Sequence, residues 1–525
     1  MTNTVFFIVN MQGLEYKNIH LYILQDVKEF MHTDYTKKAV HGAIVVFVMS
    51  ILASGFGYIL RLMLAKNLIP SEFGLVYAVI ACFGLIYIFQ HLGLNEALTW
   101  FIATHRLREQ YSRIKSAIVF VVCFQTFTAI ILGLVLIVSA DWFAVHYFGN
   151  SLAANLVLIH AILLVLLPFE TVFQSIFQGF HFMHLYSGVN LVRVLVTLVA
   201  TYGFLSVGFG VLSVFYGYLV AALVPFVVWF PLFLRRIMPQ YSNLAYTVDK
   251  KLVSDLFSFG VPVIFTSVAG IVMTYTDTIM LTGYRSLEEV GLYNAAVPTA
   301  SLLWVIASSL TIVTFPITTE LWEKKQHAQL RAGIELLYKY AIIFIIPFAL
   351  TLYIYPDLIL RTLFGEAYMP AAVVLQVLSF GAVLYTIGKV NDAIFLGIGK
   401  PRISSRIAIT GAVFNIVGNA VLIPSYGMFG AAISTVAGFL VMLISGLYSI
   451  RGVVLFRIPW QEWFSTLVSA GFFLGVVEYT KTLFDLPVLL EAVLCLVLGF
   501  AAYLIGLILL RAVSIAEVRS ILARI

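Results

Sequence analysis

The sequence predicts an all-α polytopic membrane protein: fourteen transmembrane helices, arranged as two parallel six-helix repeats with two extra C-terminal helices. Three observations predict it. The 525-residue chain is 62% hydrophobic and only 11% charged, with a mean hydropathy of +1.01. Soluble chains carry roughly 25% charged residues, so there is too little polar surface here to coat a water-soluble globule. Fourteen apolar stretches reach the length of about 20 residues that a helix needs to cross the hydrocarbon. Finally, several motifs recur at an almost constant offset.

Taken in order, residues 1–41 are expected to form a polar cytoplasmic tail. The segment Val5–Val9 is too short for a signal peptide and lacks a basic n-region and a small-residue cleavage site. Met31 is an alternative start, because the repeating architecture begins only after Lys38. The spans then fall at roughly 42–65, 73–94, 116–138, 152–174, 185–205 and 210–233, which make an N-lobe over 42–234. A cytoplasmic inter-lobe linker follows at 235–255. The next six spans, 256–281, 291–315, 334–356, 370–397, 403–423 and 428–450, make a C-lobe over 256–450. Spans 463–483 and 488–510 complete the set within 463–510, leaving 511–525 as a second cytoplasmic tail. The connections are short, and none is long enough to hold a soluble catalytic domain.

Loop charge supports this count independently. With the N-terminus inside, the inside loops hold sixteen Lys or Arg, including Arg106, Arg108, Arg235, Arg236, Lys324, Lys325, Lys400 and Arg402. The outside loops hold four: Lys66, Arg285, Arg361 and Lys481. A missed or invented span would scramble the alternation that orients membrane proteins. Both termini are therefore expected inside. The positive residues show no basic stripe interleaved with aromatics, so nucleic acid is not an expected partner.

The repeat is read from matching phrases. "PSEFGLVYAVI" at 70–80 is echoed by "LEEVGLYNAAV" at 287–297, which places Gly74 and Gly291 217 positions apart. "ADWFAVHYFG" at 140–149 matches "PDLILRTLFG" at 356–365, and "IFQG" at 176–179 matches "IFLG" at 394–397. "SVGFG" at 206–210 faces "SYGMFG" at 425–430. Six spans per copy is an even number, so both copies enter the membrane from the same side, as parallel repeats do. Two such bundles enclose a cleft, and rocking them opens it to alternate sides. This is transporter architecture. The Glu-Gly loops also read as helix starts, with Ser71 or Ser286 as a cap and acids in the first turn. Pro168, Pro225, Pro262, Pro298, Pro316 and Pro347 interrupt apolar spans and are expected to kink them.

Four stretches carry a family resemblance: "LAKNLIPSEFG" with "HLGLNEAL"; "YTDTIMLTGYRSLEEVGLYNAA"; "LFGEAYMPAAVVLQVLS" with "LGIGKPR"; and "NIVGNAVLIPSYGMFGAAIST". In order and spacing the chain resembles the polysaccharide-transporter, or oligosaccharide-flippase, branch of the multidrug/oligosaccharidyl-lipid/polysaccharide exporter superfamily. Lys66 stands where the family's first motif usually has Arg, which keeps the charge. The resemblance implies fourteen helices in two lobes and flipping of a lipid-linked sugar across the cell membrane. The partners it implies are a lipid-linked glycan, membrane lipids, H+ or Na+, and glycan-assembly enzymes.

Ionisable groups at bilayer depth are costly unless they face a wet cavity or a partner. The sequence offers Arg61, Glu96, Glu170, Arg193, Asp277, Lys389, Asp392 and Glu478. A lipid-linked sugar carries phosphate, which Arg grips bidentately and Lys as a point charge. Arg61, Arg193 and Lys389 are the substrate-binding candidates, with Lys66 a fourth. Asp277, Asp392, Glu96 and Glu170 are candidates for coupling transport to H+ or Na+. Each has a structural alternative. Arg61 can snorkel to the interface, and Lys389 and Asp392, three apart, can neutralise each other. Asp277, in "TYTDT", can anchor helices, Glu96 can sit at an interface, and Glu170, after Pro168, can be a hydrogen-bonded structural acid. Glu478 lies outside the repeat and is left unassigned.

Other chemistries find no support. "GIGKP" at 397–401 lacks the upstream Gly and the Ser/Thr of a phosphate loop. "HFMH" at 181–184 has no acid or Cys beside it, so no metal is expected, nor any cofactor. Cys82, Cys123 and Cys495 lie in apolar runs and read as small core residues. No nucleophile elbow anchors Ser/His/Asp catalysis, so the chain is not expected to be an enzyme. A multidrug or toxin antiporter of the same superfamily remains the alternative. Its cationic substrates favour an acid-lined cleft, whereas this sequence offers cations at depth.

Overall fold

The computed structural model describes residues 34–237, 245, 247–454, 456–484 and 486–513. Most of the expected tail over 1–41, the tail over 511–525 beyond residue 513, and part of the linker over 235–255 lie outside the described residues. Among the described residues every regular element is helical. The N-terminal half contains α1 (Asp34–Asn67), α2 (Pro70–His91), α3 (Leu94–Arg106), α4 (Tyr111–Trp142), α5 (Leu152–Gly179), α6 (Met183–Ser206), α7 (Leu212–Ala222) and α8 (Phe230–Arg236). The C-terminal half contains α9 (Lys250–Tyr284), α10 (Leu287–Ser301), α11 (Trp304–Glu323), α12 (His327–Ile354), α13 (Pro356–Leu363), α14 (Ala372–Gly397) and α15 (Pro401–Arg451). Two further helices follow, α16 (Trp460–Lys481) and α17 (Val488–Leu509).

Eleven helical runs among the described residues are long and apolar enough to cross a membrane, so this is a multi-pass membrane protein. The difference from fourteen has identifiable sources. The expected spans 403–423 and 428–450 both fall within α15, and the helices at the expected spans 256–281 and 463–483, α9 and α16, are outside the eleven. As a straight rod the 51 residues of α15 would extend about 76 Å, more than twice the hydrocarbon thickness of about 30 Å. The run is not straight, because Gly427 sits at φ 54°, ψ −135°. Past it the chain returns on itself: Gly411 approaches Gly438, Gly418 approaches Ser434, and Gly430 approaches Leu422. The two legs of α15 are therefore antiparallel. The Glu289 carboxylate accepts the Met428 N–H at 2.9 Å and tethers the break. Glu289→Ala is expected to cost about 2 kcal/mol, read as a lower midpoint of thermal unfolding in detergent; an unchanged midpoint would mean the freed N–H is solvated.

Hydropathy concealed other interruptions. The expected span 73–94 ends at a turn where Leu92 and Gly93 have φ 45° and 71°, and helix resumes as α3. The expected span 291–315 is broken at Leu302 and Leu303. Of the expected proline kinks, Pro225 opens a π turn between α7 and α8, and Pro298 lies in the last turn of α10. Pro168, Pro262, Pro316 and Pro347 sit inside continuous helices. At the paired helix starts, Ser286 caps α10 through the Glu289 N–H, as expected. At α2 the cap is different: Pro70 takes the first position, and the Glu72 carboxylate reaches back to the Ile69 N–H at 3.3 Å.

The echoed glycines explain themselves in three dimensions. A Cβ on Gly74 would lie 1.8 Å from the Leu287 carbonyl oxygen, and one on Gly291 would lie 1.9 Å from that of Pro70. Each glycine thus admits the backbone of the other's helix, as small residues do where membrane helices cross closely. A second contact recurs within each half. Gly179 of α5 packs on Ile102 and the Thr99 carbonyl of α3, while Gly397 of α14 packs on Thr318 and the Phe315 carbonyl of α11.

A buried core containing Phe73, Val76, Val290, Tyr293 and Leu375 joins the two halves at the Gly74 end. Toward the other end the core divides. Leu98, Phe101 and Phe177 belong to one cluster, and Tyr338, Ile394 and Phe395 to another. Helix α9 runs from the N-terminal cluster to the core that joins the halves, which its Leu281 enters. It leaves the N-terminal cluster at Leu252 and Leu256, stacks Phe259 on Trp100, and ends against α15 in the other half. Helices α16 and α17 pack on α12, where the Tyr503 hydroxyl donates to the Ile343 carbonyl at 2.8 Å.

Candidate functional site

Two polar cavities lie within the bundle. One, of about 720 Å³, lies between the halves and draws its wall from α1, α2, α6, α7, α9, α10, α11, α14 and α15. The other, of about 620 Å³, lies within the N-terminal half, closed on one side by α9. Ile80, Arg193, Tyr218 and Tyr275 line both.

Arg61, Arg193 and Lys389 all line the cavity between the halves. Arg61 does not snorkel. Its Nη1 donates to the Asn294 carbonyl at 2.8 Å, and its guanidinium lies 4.1 Å from the centroid of the Tyr77 ring. Carbonyl and ring together leave its charge uncancelled, and among the described residues it forms no ion pair. A partly buried cation–π contact of this kind is worth about 1 kcal/mol, which adds to the hydrogen bond in holding the group. Arg193 is held differently, by a 2.9 Å ion pair with the buried Glu170 and a 2.7 Å hydrogen bond to the Asn190 side chain. Lys389 and Asp392 form the expected i,i+3 pair at 3.2 Å, and Asp392 also accepts the Ser404 hydroxyl at 2.6 Å. Lys66 is exposed at the end of α1 and lines neither cavity.

Asp277 is the most densely bonded acid. One carboxylate oxygen accepts from Asn415 at 3.0 Å and Asn419 at 2.6 Å; the other accepts from Tyr293 and Thr435, both at 2.5 Å. Four donors converge from α10 and both legs of α15 on a side chain that is 5% exposed. A buried carboxylate is tolerable only with such donors. The sequence pointed to Asp277 but not to its partners. Asn415 and Asn419 are one turn apart inside "NIVGNAV", a polar stripe in an apolar run that was the available signal.

Glu170 and Glu96 line the cavity of the N-terminal half, not the one between the halves. Glu96 is exposed to that cavity, whereas Glu170 is buried against Arg193. Neutral residues that the sequence did not single out surround them, including Gln90, Asn95, Gln125, Gln174 and His160. Glu478 pairs with Lys481 at 2.8 Å on α16 and lines neither cavity. Cys495 is buried and Cys82 half-buried, but Cys123 is exposed, which corrects its reading as a core residue: it lies on the outer face of α4. "GIGKP" is the turn joining α14 to α15. Among the described residues, no three His, Cys, Asp or Glu side chains cluster as metal ligands would.

A cavity lined by three cations, between two halves with matching internal contacts, is the setting in which comparison with known proteins is informative. The family described as "Polysaccharide biosynthesis protein" matches residues 39–322, and the MatE family matches residues 262–421. An uncharacterized membrane protein of Methanocaldococcus jannaschii is 31% identical over 504 residues, which is 94% of this chain and 99% of that protein. The probable low-salt glycan biosynthesis flippase Agl15 of Haloferax volcanii is 20% identical over 461 residues, covering 88% of this chain and 94% of that protein. In fold, the lipid II flippase MurJ in its inward closed conformation matches with a TM-score of 0.71 at 16% identity, over 88% of this chain and 98% of that one. The chain belongs to the polysaccharide biosynthesis protein family of the multidrug/oligosaccharidyl-lipid/polysaccharide exporter superfamily.

Proposed function

We propose that this chain is a flippase, not an enzyme, and that it moves a lipid-linked glycan across the cell membrane by alternating access between two six-helix repeats. The observation that carries the reading is the convergence of Arg61, Arg193 and Lys389, from three helices, on one cavity between the halves. Fixed cations there suit the phosphate that joins lipid to sugar. The name of the Haloferax relative supports the same reading. Support for the repeat comes from the reciprocal contact of Gly74 with Gly291 and the matched contacts of Gly179 and Gly397. Support for fourteen crossings comes from the antiparallel legs of α15. In this reading the lobes are 42–234 and 256–450, spans within 463–510 are appended, and both termini are cytoplasmic.

Coupling to H+ or Na+ belongs to the same proposal, with Asp277 as the first candidate and Asp392, Glu96 and Glu170 behind it. Glycan-assembly enzymes supply the substrate. Deleting the gene should leave lipid-linked glycan on the cytoplasmic leaflet. Unchanged lipids with drug hypersensitivity would favour the antiporter alternative, which the MatE match over 262–421 supports.

Arg61 gives a cleaner test of the headgroup role than Arg193. Arg193→Ala strands the buried Glu170, a loss that costs about 3–5 kcal/mol by itself. Arg61 has no acid to strand. Arg61→Ala is expected to slow flipping in proteoliposomes at least about tenfold at normal expression, with Arg61→Lys intermediate. A parental rate for Arg61→Ala removes this residue from the headgroup site.

A further inference from the structure

The two cavities differ in chemistry in a way that maps onto the parts of a lipid-linked sugar. Five carboxamides, Gln90, Asn95, Gln125, Gln174 and Asn190, line the cavity of the N-terminal half, against one, Asn294, in the cavity between the halves. Carboxamides both donate and accept, as the vicinal hydroxyls of a sugar ring require. Among the described residues, the only Lys or Arg in the N-terminal cavity is Arg193, at the boundary with the other. Two buried polar atoms in its wall, Glu170 Oε2 and His160 Nδ1, have no protein partner among the described residues, although both side chains are 5% exposed. Such atoms cost about 1–3 kcal/mol each if left unpaired, a cost that a shift of either side chain toward a bound hydroxyl would relieve. The volume of about 620 Å³ lies within the range of small-molecule pockets.

We infer that the N-terminal cavity is a sugar-binding chamber, which holds the first sugar of the substrate while Arg193 holds its phosphate at the threshold. Covalent order dictates the arrangement. In a lipid-linked glycan the phosphate lies between lipid and first sugar, and Arg193 lies between the cationic cavity and the carboxamide-lined one. A phosphate on Arg193 replaces Glu170 as its partner. The released carboxylate and the half-buried amide groups of Gln174 and Asn95 then face the sugar hydroxyls. The lipid side remains in the cavity between the halves, whose wall includes Met273, Trp304, Phe439 and Met442. The inference rests on the flippase reading and adds to it a position for the glycan.

The test uses the full chain in nanodiscs. The probes are a polyprenyl phosphate and three polyprenyl phosphates bearing glucose, mannose or N-acetylglucosamine, with binding read by native mass spectrometry. At least one glycosylated probe should bind about tenfold more tightly than the bare one, the scale of one or two added hydrogen bonds. Gln174→Leu, which changes a half-buried side chain without altering its length much, should remove that advantage and leave the bare lipid unaffected. Thr171→Val, on the same wall, should act in the same direction if Gln174→Leu folds poorly, and Lys389→Ala should weaken all four probes. If no sugar discriminates, or discrimination survives both N-terminal variants, the chamber is wrong and the flippase reading stands. If no polyprenyl phosphate binds at all, both fall.

Discussion

Asp277→Ala is expected to abolish ion-dependent transport and to lower stability by at least about 3 kcal/mol. The alanine leaves the donors of Asn415, Asn419, Tyr293 and Thr435 without their acceptor, and each buried donor left unpaired costs about 1–3 kcal/mol. Some relax toward one another: Asn415 already lies 3.2 Å from Thr435 and 3.3 Å from Asn419. For this reason the total falls short of four full penalties. Asp277→Asn separates anchoring from coupling. It keeps the shape and one acceptor oxygen but removes the charge that a proton or Na+ would neutralise. Thermal unfolding should then show a smaller loss than for alanine, while flipping in proteoliposomes loses its response to a Na+ or pH gradient. A variant that keeps the parental gradient response confines Asp277 to anchoring and moves coupling to Asp392, Glu96 or Glu170.

Gly74→Ala and Gly291→Ala are expected to be as damaging, through packing alone. The added methyl meets backbone oxygen, at 1.8 Å in one case and 1.9 Å in the other. No rotamer change relieves a clash with a carbonyl on a packed helix, so α2 and α10 must separate and the core joining the halves at that end must open. Overpacking costs about 1–3 kcal/mol, occasionally more, and these sites belong at the upper end. The double variant should lose less than the sum, because one separation accommodates both methyls. Gly471→Ala, where a Cβ would meet nothing within 4 Å, is the control and should be neutral or slightly stabilising. If Gly74→Ala unfolds at the parental midpoint while Gly471→Ala behaves as expected, the close crossing is not a feature of the protein.

The fold was legible where the bilayer imposes a simple rule. A span must be apolar for about 20 residues, so helix positions could be read directly from composition. Breaks that keep the run apolar were not legible. The turn at Leu92–Gly93 and the break at Leu302–Leu303 involve residues that hydropathy scores as ordinary membrane residues, whereas the reversal at Gly427 falls in the gap expected between spans 403–423 and 428–450. The paired phrases were visible as text because a glycine is needed on both sides of one crossing, but the text did not say that Gly74 and Gly291 touch each other.

The site divides along a similar line. Ionisable residues stand out at membrane depth because each is expensive there, and Arg61, Arg193, Lys389, Asp277, Asp392, Glu96 and Glu170 were all named from sequence. Neutral polar residues carry a smaller penalty, which hid Asn415, Asn419, Thr435 and the carboxamides of the N-terminal cavity. By itself the sequence determined that this is a multi-pass helical membrane protein and which charges lie within its apolar helices, because solvation energy is set residue by residue. Only the tertiary structure decided which charges share a cavity, that Glu170 holds Arg193, and that four donors meet Asp277. Those facts depend on distances between helices that are remote in the chain, and no local pattern encodes such distances.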